Sequence, residues 1–489
     1  MLTPAEELGL SGHSLAGRVR KAFYTIPEVQ LSELIQQIRD ESYRRHLVYL
    51  RDDQEEIIRV LPSPLIVLDI QRAYFHSVSL TIQNALKRLP ELYMQDFAVR
   101  EVLRISTDEE QWLWDCWGPS QRESNPVFGR LDGVVDFTSA MWKESLKFVE
   151  PNMSGIGGLH LVPMCEQIVA DVVVPVLQKS DQQLRLELGH DIRELLMQEV
   201  QDHLETLGRK AQNICFVEPK YSRSGIDEQQ VLAEYYHERY GLKIMHADPA
   251  ELTLRNGEIY YDGAEVDLAY RDYAVSDLVS LQRQGIDIEP MRVLFRQNRI
   301  MSSIAAELDQ KSCWEIFTDP QITQKYFTAD ERQVFRRHVL WTRILSDRKT
   351  VLPDGQTGDL LPFVRQEREL LVLKPNRAYG GEGVVIGPSQ SAAEWDAAIE
   401  QALADSNRWV VQRLASIPLS EFAVLDPNGK VHVEPFYTVM GFAPSKYGLA
   451  ILGRASQRQV VNVAQRGGMC AILVGHQPAR LIGPDAPVS

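Results

Sequence analysis

Residues 128–137, FGRLDGVVDF, and residues 146–152, LKFVEPN, decide how this chain is read. Both read as β-strands, and the loop TSAMWKES separates them. Side chains two apart on a strand share a face. Arg130 and Asp132 therefore point one way, and so do Glu150 and Asn152. Paired as a hairpin, the strands bring one cation and three oxygen ligands to a single surface. Asp, Glu and Asn oxygens suit Mg²⁺, with positions left for phosphate oxygens and water. Arg130 is placed to meet a transferred phosphoryl group or a developing oxyanion. The plain alternative is a solvated hairpin face, whose ion pairs contribute under ~1 kcal/mol. The apolar flanks Val134, Val135, Phe137, Phe148 and Val149 favour a packed sheet over that alternative.

Further along, residues 372–387, VLKPNRAYGGEGVVIG, read as strand, glycine turn and strand. Glycines let backbone N–H groups approach phosphate oxygens without Cβ interference, and Lys374 adds a mobile positive charge. There is no GxxxxGK[ST] motif. Taken alone, the stretch suits a glycine hairpin as well as a phosphate loop. The apolar strand WVVQRL, residues 409–414, turns polar at Gln412, and Glu421 lies just beyond it. Such a strand can serve as an adenine hinge with a ribose carboxylate after it, or it can be an ordinary edge strand.

The chain has 489 residues, enough for two to four sub-domains. Hydrophobic residues are 44% and charged residues 24%, an ordinary soluble composition. The net charge of −15 argues against a general nucleic-acid partner, since phosphate contacts need clustered Lys and Arg. Five cysteines without a CxxC pair fit a reducing cytoplasm better than a disulfide framework or a zinc site. The start, MLTPAEELGLSGHSLAG, lacks the pattern of a signal peptide. No run approaches the ~18 apolar residues of a membrane span. A cytoplasmic protein with no membrane partner is expected.

The period of the sequence suggests an α/β (α+β) chain in six parts. Residues 1–110 read as a helical segment, with three- and four-residue spacing in LSELIQQIRDESYRRHLVYLRDDQEEIIRVL. A scaffold or oligomerisation role is expected there, which leaves room for a homo-oligomer. Residues 111–205 hold the hairpin. In 206–300 strand and helix alternate, which predicts a small parallel sheet. Residues 301–365 are mostly helical, 366–440 carry the glycine loop, and 441–489 return to short strands.

Arg-x-Asp on one strand with Glu-x-Asn on the next resembles the metal-binding end of ATP-grasp ligases. In the familiar order that end comes last. Here it precedes NRIMSSIAAELDQKSCWEIF, VLKPNRAYGGEGV and WVVQRL, an order similar to that of circularly permuted ATP-grasp proteins, which include glutathionylspermidine synthase-like enzymes. The resemblance runs from about residue 125 to 470. It implies an ATP-grasp fold in permuted order, with a pre-ATP-grasp-like α/β domain, and ATP and Mg²⁺ as cofactors. It carries Asp132, Glu150 and Asn152 over as metal ligands and Arg130 as the arginine beside the reacting phosphoryl. Lys311 in ELDQK and Lys374 resemble the two nucleotide lysines, although the family more often has Asn or Asp where Gln310 stands. Tyr379, Gly380, Gly381, Glu382 and Gly383 resemble the closing loop. Gln412, Arg413 and Leu414 look like the hinge, and Glu421 like the ribose carboxylate. Arg454 and Asn462 match a late segment.

The implied activity is carboxylate–amine ligation through an acyl phosphate, releasing ADP and phosphate. The implied partners are small-molecule or peptide acids and amines. A phosphotransferase acting on a small acceptor and a non-catalytic ATP-binding partner protein are the alternatives. For the substrate, Lys220 and Arg223 in EPKYSRSG and Tyr270, Arg271 and Asp272 in LAYRDY are candidates, each also readable as a solvated or structural residue. His160 reads as structural more readily than as a proton acceptor. Trp112, Trp114 and Trp117 read as core or interface.

Overall fold

The structure is a computed structural model that describes residues 15–378, 380–405, 408–426, 428–459, 461 and 467–476. Along the chain, helix α1 (Glu28–Arg44) leads to strands β1 (Val48–Arg51), β2 (Gln54–Ile57) and β3 (Val60–Leu68). Helices α2 (Asp69–Leu86) and α3 (Thr107–Cys116) follow, then β4 (Arg130–Val134), β5 (Lys147–Asn152) and α4 (Leu161–Val172). Next come β6 (Asn213–Val217), β7 (Lys243–Ala247), β8 (Leu268–Arg271) and β9 (Ile300–Met301). Then come β10 (Thr342–Ile344), β11 (Leu371–Pro375), β12 (Val385–Ile386), α5 (Ala392–Ala404) and β13 (Trp409–Arg413). The chain closes with β14 (Leu419–Leu425), β15 (Val431–Ser445), β16 (Gly448–Ser456) and β17 (Gly468–Gly475).

The largest sheet runs β3-β17-β16-β15-β4-β5, with β14 also on β15. Only the β3–β17 pair among these is parallel. The 15-residue β15 organises it, pairing with β14, β16 and, through Met440–Phe442, with β4. Residues from near both ends of the chain are thereby built into one sheet with the hairpin. Helix α2 packs on β15 and α4 on β17. On the α2 side, Phe75 meets Trp142 and Phe442 at ring-centroid distances of 5.4 and 5.6 Å, and Phe148 meets Phe442 at 5.6 Å. Burying such rings stabilises by roughly 1.5–3 kcal/mol each. The segment Leu161–Ser180 is long and apolar enough to cross a membrane, and its α4 part packs on α1, β3 and β17.

The helical reading of residues 1–110 holds only in part. The pattern of residues 31–61 is helix to Arg44 and strand from Val48. Leu47, Val48, Tyr49 and Leu50 are crowded and apolar or aromatic, which suits a strand. Asp52 and Asp53 then take left-handed φ values of 51° and 63°, closing the β1–β2 hairpin. β3 lies within the largest sheet, so this segment is core and not an outlying scaffold.

Residues 206–300 contain the expected parallel sheet, in the order β9-β8-β6-β7. A second four-stranded sheet is antiparallel, ordered β10-β13-β11-β12. Its apolar face, with Leu371, Leu373 and Val411, packs on Trp395 and Ile399 of α5.

Candidate active site

β4 and β5 pair antiparallel, with Arg130 opposite Asn152 and Asp132 opposite Glu150. The pairing shifts after Asp132, so Val149 is an extra residue on β5. Arg130 lies across Gly441 of β15, where a Cβ would stand 2.4 Å from Arg130 Cδ. Only a glycine leaves room for that side chain.

Asp132 is buried between two guanidiniums. Its Oδ1 accepts from Arg130 Nε at 2.9 Å, and its Oδ2 pairs with Arg454 Nη2 of β16 at 2.8 Å. Burial alone raises a carboxyl pKa; here Arg130 and Arg454 outweigh it and hold Asp132 below the usual carboxylate range.

The lysines come from two other segments and meet this face. Lys311 follows the turn Ile304–Leu308, and its Nζ lies 3.5 Å from Glu150 Oε2. It also donates to Ala378 O, at the stem of the glycine loop. Lys374 on β11 is buried and donates to Gln412 Oε1 at 2.8 Å. Gln412 Nε2 in turn donates to Val149 O at 3.0 Å and Thr342 Oγ1 at 2.9 Å. Burial pushes the Lys374 pKa down to about 8, against the pull of the Glu150 carboxylate. Gly380, Gly381 and Gly383 all have left-handed φ, of 69°, 75° and 70°.

A cavity opens between the end of β5, the turn before Lys311 and the loop stem. Glu150, Asn152, Ser154, Asp309, Gln310 and Lys311 contribute to its wall. Asn376 stitches the two lysine segments together. Its Nδ2 donates to Gln310 Oε1 at 2.7 Å, its Oδ1 accepts from Ser312 N at 2.8 Å, and its carbonyl accepts from Lys311 N at 3.1 Å. Asp309 accepts from Met153 N at 2.7 Å, and burial pushes its carboxyl up to about 7. Asn152 Nδ2 and Gln310 Nε2 are buried without a partner among the described residues. Among those residues no three His, Cys, Asp or Glu side chains converge as a metal site; the oxygen-bearing face includes the amide of Asn152.

No protein family and no curated protein matches this sequence. Solved structures do match. One is a glutathione synthetase-like effector (GSS30) from Globodera pallida, in its apo form. The two share 13% sequence identity over 91% of this chain and 97% of that one, with a TM-score of 0.61. This chain has a glutathione synthetase-like fold.

Within that fold the residues singled out in the sequence divide. Arg130, Asp132, Glu150, Asn152, Lys311, Lys374, Gln412 and Arg454 are linked by the contacts above. The Gln412 side chain is bonded to Lys374, to Val149 of β5 and to Thr342. The N–H groups of Arg413 and Leu414 donate to Trp341 O and Leu370 O, so neither N–H is free for an adenine edge. Glu421 is exposed and paired with Arg20. Arg223 is exposed and paired with Asp53. Arg271 is buried, donating to the carbonyls of Ser302, Ser303 and Tyr273 and pairing with Glu307 at 2.6 Å. Arg223 is thus in a surface pair, and the Arg271 guanidinium is taken up in tying the end of β8 to the end of β9. Tyr379 and Asn462 lie outside the described residues.

His160 is structural, as its sequence context suggests. Its Nε2 bonds Arg45 O at 2.7 Å, and burial pushes its pKa down to about 4. Trp112 and Trp117 are buried and Trp114 is exposed. The sequence reading gave no role to Ser154, Asn376 or Gln310. Asn376 stands two residues after Lys374 on the same segment, a spacing that could have flagged it.

Proposed function

We propose that this chain is an ATP- and Mg²⁺-dependent carboxylate–amine ligase of the circularly permuted ATP-grasp type. The observation that carries this reading is Lys374: a buried lysine whose side-chain hydrogen-bond partner among the described residues is a neutral amide, next to a lysine and an acidic face. A cation enclosed without its own carboxylate suits an incoming anion, here nucleotide phosphate. The order of the segments supports permutation, since β4 and β5 precede Lys311 and Lys374 in the chain.

Glu150 and the Asn152 side-chain oxygen fit Mg²⁺ by donor type, and the unpartnered Asn152 Nδ2, a hydrogen-bond donor, fits an acceptor such as a phosphate oxygen. Asp132 joins that set if one guanidinium turns toward phosphate. Bound there, Mg²⁺ neutralises phosphate charge. Lys311 and Lys374 would hold phosphate oxygens, and Arg130, bonded to Asp132 across Gly441, would meet the reacting phosphoryl. The substrate carboxylate attacks the γ-phosphorus and ADP leaves. An amine then attacks the acyl phosphate and displaces inorganic phosphate. The first half needs charge neutralisation and alignment more than acid–base help. The loop glycines Gly380, Gly381 and Gly383 suit a cover that would keep water from the acyl phosphate.

A panel of carboxylate and amine pairs, read by ADP release and by mass spectrometry, tests this. The expected result is ADP and amide in equal amounts, dependent on both substrates. A stable phosphorylated product formed without amine identifies a phosphotransferase instead. No MgATP turnover with any pair counts against a ligase.

A further inference from the structure

The ligase reading leaves the amine without a place. The C-terminal edge of a parallel sheet is where α/β folds gather ligands. Here that edge meets the metal hairpin. Asp272 directly follows β8, and its N–H donates to Val217 O at the end of β6 at 2.9 Å. Its carboxylate presses against Gly155, three residues beyond Asn152. A Cβ on Gly155 would stand 1.7 Å from Asp272 Oδ1, and the φ of +56° there favours glycine as well. Ser154, next to Gly155, and Ala274, two residues after Asp272, both line the cavity that Glu150 and Asn152 line. Asp272 thus stands at the rim of the candidate active site.

Its charge is not met by the protein. No ion pair or side-chain hydrogen bond reaches the Asp272 carboxylate among the described residues. Arg271 is the nearby cation, and its guanidinium is taken by three carbonyls and Glu307. Glu218 pairs with His246 at 2.9 Å and accepts from Gln229 at 2.9 Å. Glu228 accepts from the N–H groups of Gly158, Leu159 and His160. Asp277 caps Ala274. Asp272 is exposed at its surface, and the protein packed around its base, then Glu218 and Asp277, push its carboxyl up to about 7. Independently, the cavity carries a mark of a ligand. Gln310 is 5% exposed, and its Nε2 stands in the wall without a partner. It suits the oxygen of an acyl or phosphoryl group.

We propose that Asp272 holds the ammonium group of the amine substrate, at the mouth of the cavity lined by Glu150, Asn152 and Gln310. The proposal rests on the ligase reading and adds the amine's charge class: a primary amine carried as a cation. Asp272 is accordingly a binding residue for the second half-reaction, with no part in nucleotide binding.

The test uses the full chain and the acid–amine pair found by the panel above. Asp272→Asn is expected to raise KM for the amine at least tenfold and leave KM for ATP within twofold. Hydroxylamine is uncharged at neutral pH and intercepts acyl phosphates. Its conversion to hydroxamate should persist in the variant. An amine KM within twofold of wild type overturns the proposal. So does an equal loss of amide and hydroxamate, which means that Asp272 acts on the metal face through Gly155. Should the panel return no amide, saturation-transfer NMR of n-propylammonium against n-propanol decides separately. Signal for the ammonium only, lost in Asp272→Asn and in Asp272→Ser, supports the proposal while the ligase reading fails. Signal retained in both variants, or absent in wild type, overturns it.

Discussion

Asp132 on β4 and Lys374 on β11 are both buried, and the protein treats their charges differently. Asp132 lies between Arg130 and Arg454, and its carboxyl is held below the ordinary range. Lys374 has the amide of Gln412, and its pKa is pushed down to about 8. One charge is neutralised by the fold. The other is carried at a loss, as expected of a group whose counter-charge arrives with a ligand. The fold thus meets the Asp132 charge with its own cations and gives Lys374 a neutral amide among the described residues.

The largest effect that can break this contrast comes from the two acids. Glu150→Gln should lower ADP formation by about a thousandfold or more, an effect typical of lost charge stabilisation, and leave the melting temperature nearly unchanged, because its contact with Lys311 is long, at 3.5 Å. Asp132→Asn should lose activity as far and also destabilise by about 3 kcal/mol, since two guanidiniums lose their buried partner. Calorimetry with a coupled ADP assay separates the two. Wild-type turnover in either variant contradicts the metal face.

Lys374→Met is next. Nucleotide affinity should fall about a hundredfold, by titration calorimetry, in line with a charged hydrogen bond of about 2–3 kcal/mol. Stability without nucleotide should move the other way with pH. The folded pKa of Lys374 is below its unfolded value of 10.5. Between 10.5 and about 8 the unfolded chain takes up a proton that the folded chain does not, so stability falls as pH falls through that window. Below about 8 the penalty is constant, about 3 kcal/mol in all. Lys374→Met should lack this slope. An identical pH dependence in both proteins means that Lys374 is already paired.

Asn376→Ala should cost about 2 kcal/mol and raise KM for ATP roughly tenfold, through the buried amide bonds that join the Lys311 and Lys374 segments. The smallest effect is expected of Glu421→Ala. Its exposed pair with Arg20 contributes under ~1 kcal/mol, and KM for ATP should stay within twofold. A tenfold rise restores Glu421 as a ribose ligand.

The hairpin was legible because its message is local. Arg130 and Asp132, and Glu150 and Asn152, are each two residues apart, and strand period alone puts them on one face. Lys374 was legible from its place before a glycine turn. What was not legible depends on contacts between distant segments. Arg454 reaches Asp132 from 322 residues away in the chain, and Asn376 meets Gln310 across 66. No spacing rule encodes either. Arg271 misled because a basic residue at a strand's end suits an anion equally well on a surface or in a core; only the carbonyls of Ser302 and Ser303 decide. Residues 48–61 misled because their apolar spacing fits a helix until the Asp52–Asp53 turn is known.

The central claim is that the acidic hairpin and the two lysines form one MgATP site. Titration calorimetry of MgATP into the full chain tests it most directly. The account predicts binding to the wild type that needs Mg²⁺ and is lost in Lys374→Met and weakened in Glu150→Gln. Failure of the folded wild type to bind MgATP, or binding unchanged in both variants, would contradict it.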